Sequence, residues 1–225
     1  MIVPPLVLVP TRWEAEPLLG EVEAPSGPPE TRRVDGYRVA VGLCGVGPIA
    51  AAAVTAHWIA HLHPPRVLLV GTAGSYAMDR APVGTVVRAT ALCCEGLGVG
   101  EGVGHEALGF AQLPAGFLDE AIHDRIELQA SAPLPETNDA VVLTTTTVAA
   151  SDEELERRRR RHPEALVEEM EGFGVALACR LAGVSLTVLR GVSNAAGDRD
   201  SKGWSIRDAM QAARPALSAW LRRED

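Results

Sequence analysis

Residues 167–200 read VEEMEGFGVALACRLAGVSLTVLRGVSNAAGDRD, and their pattern decides the fold. Two polar clusters sit on apolar scaffolding. Glu169-Met170-Glu171-Gly172 closes one element, and Arg190-Gly191-Val192-Ser193-Asn194 follows the apolar run Val184 to Leu189. Between them lies an Ala/Leu-rich helical stretch, Val175 to Ala182. The segment reads as strand–helix–strand, with both clusters at strand C-terminal ends. Ligands of open α/β sheets bind at such ends. A small-molecule site is therefore expected here.

Working outward to the N-terminus, Val3 to Val9 is a continuous apolar run, as expected of a strand buried on both faces. Pro4 and Pro5 confine its regular part to the second half. Thr11 can cap the next helix, and Glu14 stands at capping-box spacing. Glu14 is thus either half of that box or an acid presented at the first strand's end. Arg32 to Leu43, with Asp35-Gly36 in the middle, reads as a hairpin with a two-residue turn. Gly45-Val46-Gly47-Pro48 precedes an Ala-rich helix, Ile49 to Leu62. The glycine pair is half of a phosphate fingerprint without its third glycine or its acid, and close backbone packing explains it equally well. Arg66 to Val70 reads as a second buried strand. It ends in Gly71-Thr72-Ala73-Gly74-Ser75, a small-residue loop whose N–H groups and hydroxyls can hold an anion, a ribose or a water.

Val83 to Cys94 reads as a strand pair or one bent strand, and the glycine-rich residues 95–105 as a mobile loop or lid. Leu118 to Gln129 is expected to be a helix, Pro133 to Asp139 a loop, and Ala140 to Thr147 a strand. A helix starts at Ser151 and carries Arg157 to Arg161. Its Glu153/Arg157 and Glu154/Arg158 spacings suit a solvated face rather than a nucleic-acid surface. Ser205 to Arg223 is a final amphipathic helix that Pro215 can kink.

With 225 residues and 47% hydrophobic content, the chain can bury one core, so residues 1–225 are read as a single α/β domain. A formal charge of −8 disfavours broad nucleic-acid or anionic-membrane binding. Cys44, Cys93, Cys94 and Cys179 fit no zinc spacing and read as buried thiols in a reducing compartment. The start MIVPPLVLVPTRWE has neither signal-peptide layout nor membrane-spanning length, so a cytoplasmic location is expected.

Taken in order, Thr11-Arg12-Trp13-Glu14, Gly45-Val46-Gly47, Gly71-Thr72-Ala73-Gly74, Glu169-Met170-Glu171 and Arg190 to Asn194 resemble the motifs of the purine nucleoside phosphorylase/nucleosidase superfamily. Within it the chain most closely resembles the futalosine hydrolase family of menaquinone biosynthesis. The resemblance covers nearly the whole chain. The E-M-E plus R-x-x-S-[DN] combination is fairly specific, whereas the glycine pairs are not. The family's V-E-M-E corresponds here to Val167-Glu168-Glu169-Met170-Glu171, with one extra or shifted acid. The resemblance implies a three-layer α/β fold with a central twisted mixed sheet flanked by helices. It also implies that Glu171 binds the ribose hydroxyls, Met170 packs on the sugar and Glu14 activates the attacking water. Thr72, with Ala73 and Gly74, would lie near that water, Arg190 would orient water and acids, and Ser193 and Asn194 would read the purine edge.

Position 194 departs from the adenine-specific nucleosidases, which carry Asp there. An amide offers donors and an acceptor together, which suits a 6-oxopurine such as hypoxanthine. Leu69-Val70-Gly71-Thr72-Ala73-Gly74 lacks the first arginine of the phosphorylases' R-x-G-[ST]-x-G, with Arg12 the candidate substitute. The aryl carboxylate of futalosine calls for a cation, and Arg199 or Lys202 are the candidates, with Trp204 available to stack. A local Arg199–Asp200 ion pair and a core role for Trp204 are the plain alternatives. The expected function is hydrolysis of futalosine to hypoxanthine and dehypoxanthine futalosine. The alternatives are a 6-oxopurine or 5′-modified nucleoside phosphorylase, and a non-catalytic nucleoside-binding protein. No cofactor and no metal are expected, and the family implies a homo-oligomer with a dimer core.

Overall fold

In the computed structural model, the described residues are 3–20, 22, 23, 25, 28–100, 105–107, 112–114, 116–130 and 132–223. The first strand β1 (Leu6–Val9) leads into α1 (Arg12–Leu19). The expected hairpin follows as β2 (Glu30–Val34) and β3 (Tyr37–Leu43), with Val34 opposite Tyr37. Asp35 at φ 48° and Gly36 at φ 85° form its left-handed two-residue turn. Helix α2 (Pro48–Leu62) starts on a proline, whose fixed φ suits a first turn.

β4 (Arg66–Ser75) differs from expectation. Gly71 to Ser75 is not a loop but the continuation of the strand, paired with a later one across a single register shift. β5 (Val86–Cys94) is one strand with a bulge near Thr90. Of the glycine-rich stretch, β6 (Gly98–Val99) pairs with β7 (Glu106–Ala107), and residues 101–104 lie outside the described residues. Residues 118–129 form no helix. Ile122 enters the core from the irregular part, and β8 (Arg125–Glu127) adds to β5 and buries Ile126. β9 (Thr137–Thr144) begins and ends three residues earlier than its sequence suggests.

Then come α3 (Asp152–Arg161), β10 (Ala165–Glu169), α4 (Gly172–Ala182) and β11 (Ser185–Ala195), the strand–helix–strand of the opening segment. β11 extends through the second polar cluster instead of stopping before it. A short 3-10 turn (Ser201–Gly203) leads to α5 (Ile206–Ala212) and α6 (Arg214–Arg222), two helices in place of one because Pro215 restarts the second.

The mixed sheet has the order β10-β9-β5-β11-β4-β1-β3-β2, and β10 also pairs antiparallel with β4. Strand alternation sorts the core into two layers. Leu6, Leu8, Val67 and Leu69 pack with Ala51, Ile59, Phe173 and Val175 of α2 and α4. Val7, Val9, Leu68 and Val70 pack with Leu18, Met210, Leu217 and Trp220 of α1, α5 and α6. The result is helices on both faces of a twisted mixed sheet, as the resemblance implied.

Helices α2 and α4 approach closely because Gly174 has no side chain, and a Cβ there would collide with the Pro48 carbonyl. Gly174→Val is expected to lower unfolding stability by roughly 1–3 kcal/mol through overpacking. Urea denaturation reads this as a lower midpoint at unchanged slope. An unchanged midpoint would show that the helices can separate freely.

Candidate functional site

The parallel pairings β1–β4 and β4–β11 bring Val9, Gly71–Ser75 and Arg190–Ala195 to one edge. The antiparallel β10–β4 contact, Glu168 opposite Gly74, folds the C-terminal end of β10 onto the same edge. A cavity of ≈ 480 Å³ opens there, within the size range of small-molecule sites. Glu14, Thr72, Ala73, Gly74, Met170, Glu171, Ser193 and Asn194 all line it. Among the expected site residues, Arg190 stands behind this wall and Arg199 does not reach it.

Arg190 has no exposed surface, and a buried cation needs partners. It ion-pairs with Glu169 and lies 3.3 Å from Glu171. Gly71 sits beside it in register, and a Cβ there would strike its guanidinium. That glycine therefore serves close approach, not turn geometry. Glu169 is held from three further sides. The N–H groups of Glu171 and Gly172 donate to it at 2.8 Å, and Thr144 donates through its hydroxyl. Thr144 in turn accepts the Phe173 N–H at 2.8 Å. These N–H groups belong to the first turn of α4, where a carboxylate is favoured.

Glu171 precedes α4 and accepts the Gly47 N–H at 3.1 Å. The glycine pair of the sequence thus serves backbone approach to an acid, not phosphate. Burial pushes the Glu171 carboxyl up to about 7, and the neighbouring Glu169 and Glu14 charges add to this against Arg190.

Glu14 is 7% exposed and departs from capping-box geometry. Thr11 accepts the Glu14 N–H at 3.3 Å, which caps α1. The Glu14 carboxylate does not return to the cap backbone. It receives the Thr11 hydroxyl at 2.7 Å and the Thr72 N–H and hydroxyl at 2.8 and 2.9 Å. Glu14, Thr72 and Glu171 are thus presented to one cavity, with Arg190 buried behind it.

A register shift between Val192 and Asn194 re-aims the end of β11, so Ser193 and Asn194 are both on the cavity wall. Ser193 donates to Asn194 Oδ1 at 2.7 Å, and Asn194 Nδ2 donates to the Ala195 carbonyl at 2.8 Å. Arg199 is exposed and off the wall, and Lys202 is absent from it. Asp198 and Asp200 accept the N–H groups of Asp200 and Lys202, and this turn puts Asp198 and Ser201 on the cavity instead. Trp204 lines the cavity, as a stacking residue would.

Several wall residues carry no sequence signal. Val148, Ala149 and Glu168 line the cavity, and only the doubled acid of V-E-E-M-E hinted at the last. Arg158 of the arginine run is not solvated. It is 2% exposed and pairs with Glu168 at 2.8 Å.

The four cysteines are free and buried. Burial pushes the thiols of Cys93, Cys94 and Cys179 up to about 11, 12 and 12. Spacing suggested no metal ligands, yet folding brings ligand atoms of Cys93, His162 and Glu164 within 4.8 Å. Arg125 Nη1 is 3.4 Å from both Cys93 Sγ and Glu164, and His162 contacts Glu95 at 2.8 Å, so this cluster already contains its own cation. Among the described residues, no helix is long and apolar enough to cross a membrane.

Comparison with known proteins gives a consistent family. Residues 6–223 match the model of the phosphorylase superfamily. A futalosine hydrolase of Streptomyces coelicolor is 37% identical over 195 residues, covering 80% of each chain. In fold, the chain matches a futalosine hydrolase structure from Helicobacter pylori with TM-score 0.69 at 19% identity, covering 96% of this chain and 98% of that one. It also matches a Colwellia psychrerythraea 5′-methylthioadenosine/S-adenosylhomocysteine nucleosidase in complex with adenine, with TM-score 0.74 at 19% identity, covering 96% and 94%.

The raised Glu171 value fixes the sign of a pH effect. Its folded value, about 7, exceeds the ordinary 4.5, so its share of stability is complete below about pH 4.5 and is lost as pH rises through 7. Glu171→Gln should remove up to ~1.4 kcal/mol per pH unit of that slope. Urea midpoints of both proteins between pH 4.5 and 8 measure the difference. Parallel curves would show that Glu171 takes up no proton in this window.

Proposed function

The chain belongs to the phosphorylase superfamily, and we propose that within it the protein is a futalosine hydrolase, cleaving the N-glycosidic bond of futalosine with water to hypoxanthine and dehypoxanthine futalosine. The observation that carries the reading is the pair Glu14 and Glu171 on one cavity wall, with Arg190 buried behind them. The similarity to the Streptomyces enzyme supports the substrate.

Breaking this bond places positive charge on the ribose and negative charge on the departing base. Glu171, ionised when it accepts the ribose hydroxyls, stabilises the first charge, and Met170 packs on the sugar. Glu14 takes the proton of the attacking water. Among the described residues its Oε2 accepts one hydrogen bond, from Thr11, which leaves a lone pair for that proton. Thr72, Ala73 and Gly74 line the water side. Arg190, buried behind the wall, orients the acids Glu169 and Glu171 that line the cavity, and through them the water.

Asn194 reads the base. With Ser193 and Ala195 already bonded, its amide keeps one acceptor lone pair and one N–H. These match a protonated N7 and the O6 of hypoxanthine. No arginine or lysine side chain forms the cavity wall among the described residues, which argues against a phosphate co-substrate. Arg12, the candidate substitute, is half-exposed and paired with Glu16 at 2.9 Å.

The reading includes one domain spanning residues 1–225, a cytoplasmic location consistent with the buried free thiols, and a homo-oligomer built on a dimer. Trp13 (77% exposed) and Val46 (55%) form an apolar cavity rim, and Ile49 (82%) follows close by in sequence, which suits a second copy of the chain.

Chromatography of futalosine incubated with the protein in phosphate-free buffer should give hypoxanthine. A strict phosphate requirement would establish a phosphorylase instead. Glu14→Ala and Glu171→Ala should each lower kcat/KM by about 10²–10⁴-fold while leaving the circular dichroism spectrum unchanged. Full activity in both would remove these residues from the chemistry. Asn194→Asp should weaken cleavage of the hypoxanthine nucleoside and favour its 6-amino analogue. An unchanged base preference would refute the 6-oxopurine assignment.

A further inference from the structure

Two features remain outside the proposed chemistry: the arginine run of α3 and the extra acid, Glu168. The fold joins them. Arg158 Nη1 donates to Glu168 Oε2 at 2.8 Å, and the Tyr76 hydroxyl donates to the same oxygen at 2.6 Å. All three side chains are buried. The second oxygen, Oε1, accepts the backbone N–H of Ala149 at 3.2 Å. Ala149 belongs to the connection between β9 and α3, and it lines the cavity with Val148.

Arg158 grips the same connection again. Its Nη2 donates to Thr147 Oγ1 at 3.0 Å and to Glu154 at 2.7 Å. Glu154 in turn accepts the Ala150 N–H at 3.0 Å. At the β9 end, the Thr145 N–H donates to the Glu169 carbonyl at 2.8 Å. A connecting segment usually runs over the surface and moves. Here Thr145, Thr147, Ala149 and Ala150 are each tied down, and all but the first tie run through Glu168, Arg158 or Glu154. A neutral acceptor would satisfy Ala149 alone. A carboxylate serves Ala149, Tyr76 and Arg158 together.

We propose that Glu168, clamped by Arg158 and Tyr76, is a positioning residue for substrate binding that fixes the Val148–Ala149 wall of the cavity through the Ala149 N–H. The role rests on the cavity being the substrate site. It predicts an effect on substrate affinity rather than on the chemical step, because Glu168 acts through a backbone wall and not on the reacting bond.

Two double variants separate positioning from stability. R158M/E168L and R158M/E168Q both remove the buried ion pair, but only the second keeps an oxygen for the Ala149 N–H. With futalosine, R158M/E168L should raise KM about tenfold with kcat within about threefold of the unmodified protein, and R158M/E168Q should recover most of that loss. Hydrogen exchange gives a readout that needs no substrate. The Ala149 amide should be protected in the unmodified protein and in R158M/E168Q, and should exchange at least about tenfold faster in R158M/E168L. Equal KM values in the two double variants would overturn the proposal. So would an Ala149 amide in the unmodified protein that exchanges as fast as exposed loop amides, a result available even if neither variant folds. If the unmodified protein does not cleave futalosine, the functional reading fails, and exchange alone decides the positioning role.

Discussion

A guanidinium without exposed surface governs the substrate end of this fold. Removing Arg190 from water is tolerable only with a close counter-charge and well-satisfied partners. Glu169 and Glu171 supply the charge from β10 and the start of α4. Glu169 is itself stabilised by the first N–H groups of α4 and by Thr144 at the end of β9. One buried cation thus ties β9, β10, α4 and β11 together at their functional ends. The same requirement makes Gly71 on β4 a glycine, since the guanidinium occupies the space of its side chain.

The acids around Arg190 then divide by environment. Glu169 has the arginine, two backbone N–H groups and a hydroxyl, and it serves as structural counter-charge. Glu171 has a single backbone donor and a more distant arginine contact, so burial outweighs attraction and its carboxyl rises to about 7. Glu14, also on the cavity wall, is oriented by Thr11 and Thr72. Both Glu169 and Glu171 line the cavity, and Glu171 is the one held by fewer protein donors. A ligand that donates hydroxyls to Glu171 supplies what the protein withholds.

Local patterns carried much of this into the sequence. The Asp35-Gly36 turn, the continuous apolar runs of β1 and the first half of β4, and the strand–helix–strand around E-M-E were all legible because each depends on neighbouring residues. Features that depend on distant partners were not. Gly71 to Ser75 has a loop's composition, but β11 pairs with it and Ala196 packs on Gly74, so it is strand. Arg158 looks like one more solvated arginine until β10 places Glu168 beside it. Arg199 looked well placed in sequence, but the turn made by Asp198 and Asp200 leaves it off the wall. Residues 118–129 have helical composition, yet β5 recruits their centre as an added strand. The motifs named most of the candidate residues that line the cavity. Their supports, Thr144 and the Val148–Ala149 wall, have no motif.

Charge also bears on which nucleophile this cavity suits. Glu14, Glu169 and Glu171 lie on its wall, and the guanidinium behind them is already engaged by two of the three. A phosphate brought into this space would lose its hydration and face carboxylates at short range. That repulsion grows as the local dielectric falls, and among the described residues no wall lysine or arginine offsets it. A water molecule meets no such barrier. It is neutral on entry, it can donate to Glu14, and in the proposed reaction it gains nucleophilicity as its proton moves to that carboxylate. The negative wall also favours the cationic character of the ribose as the bond breaks. One distribution of charge thus disfavours an anionic nucleophile and favours the transition state of hydrolysis. The absence of an arginine before Gly71 and the excess of acids around Arg190 are two sides of the same electrostatic choice.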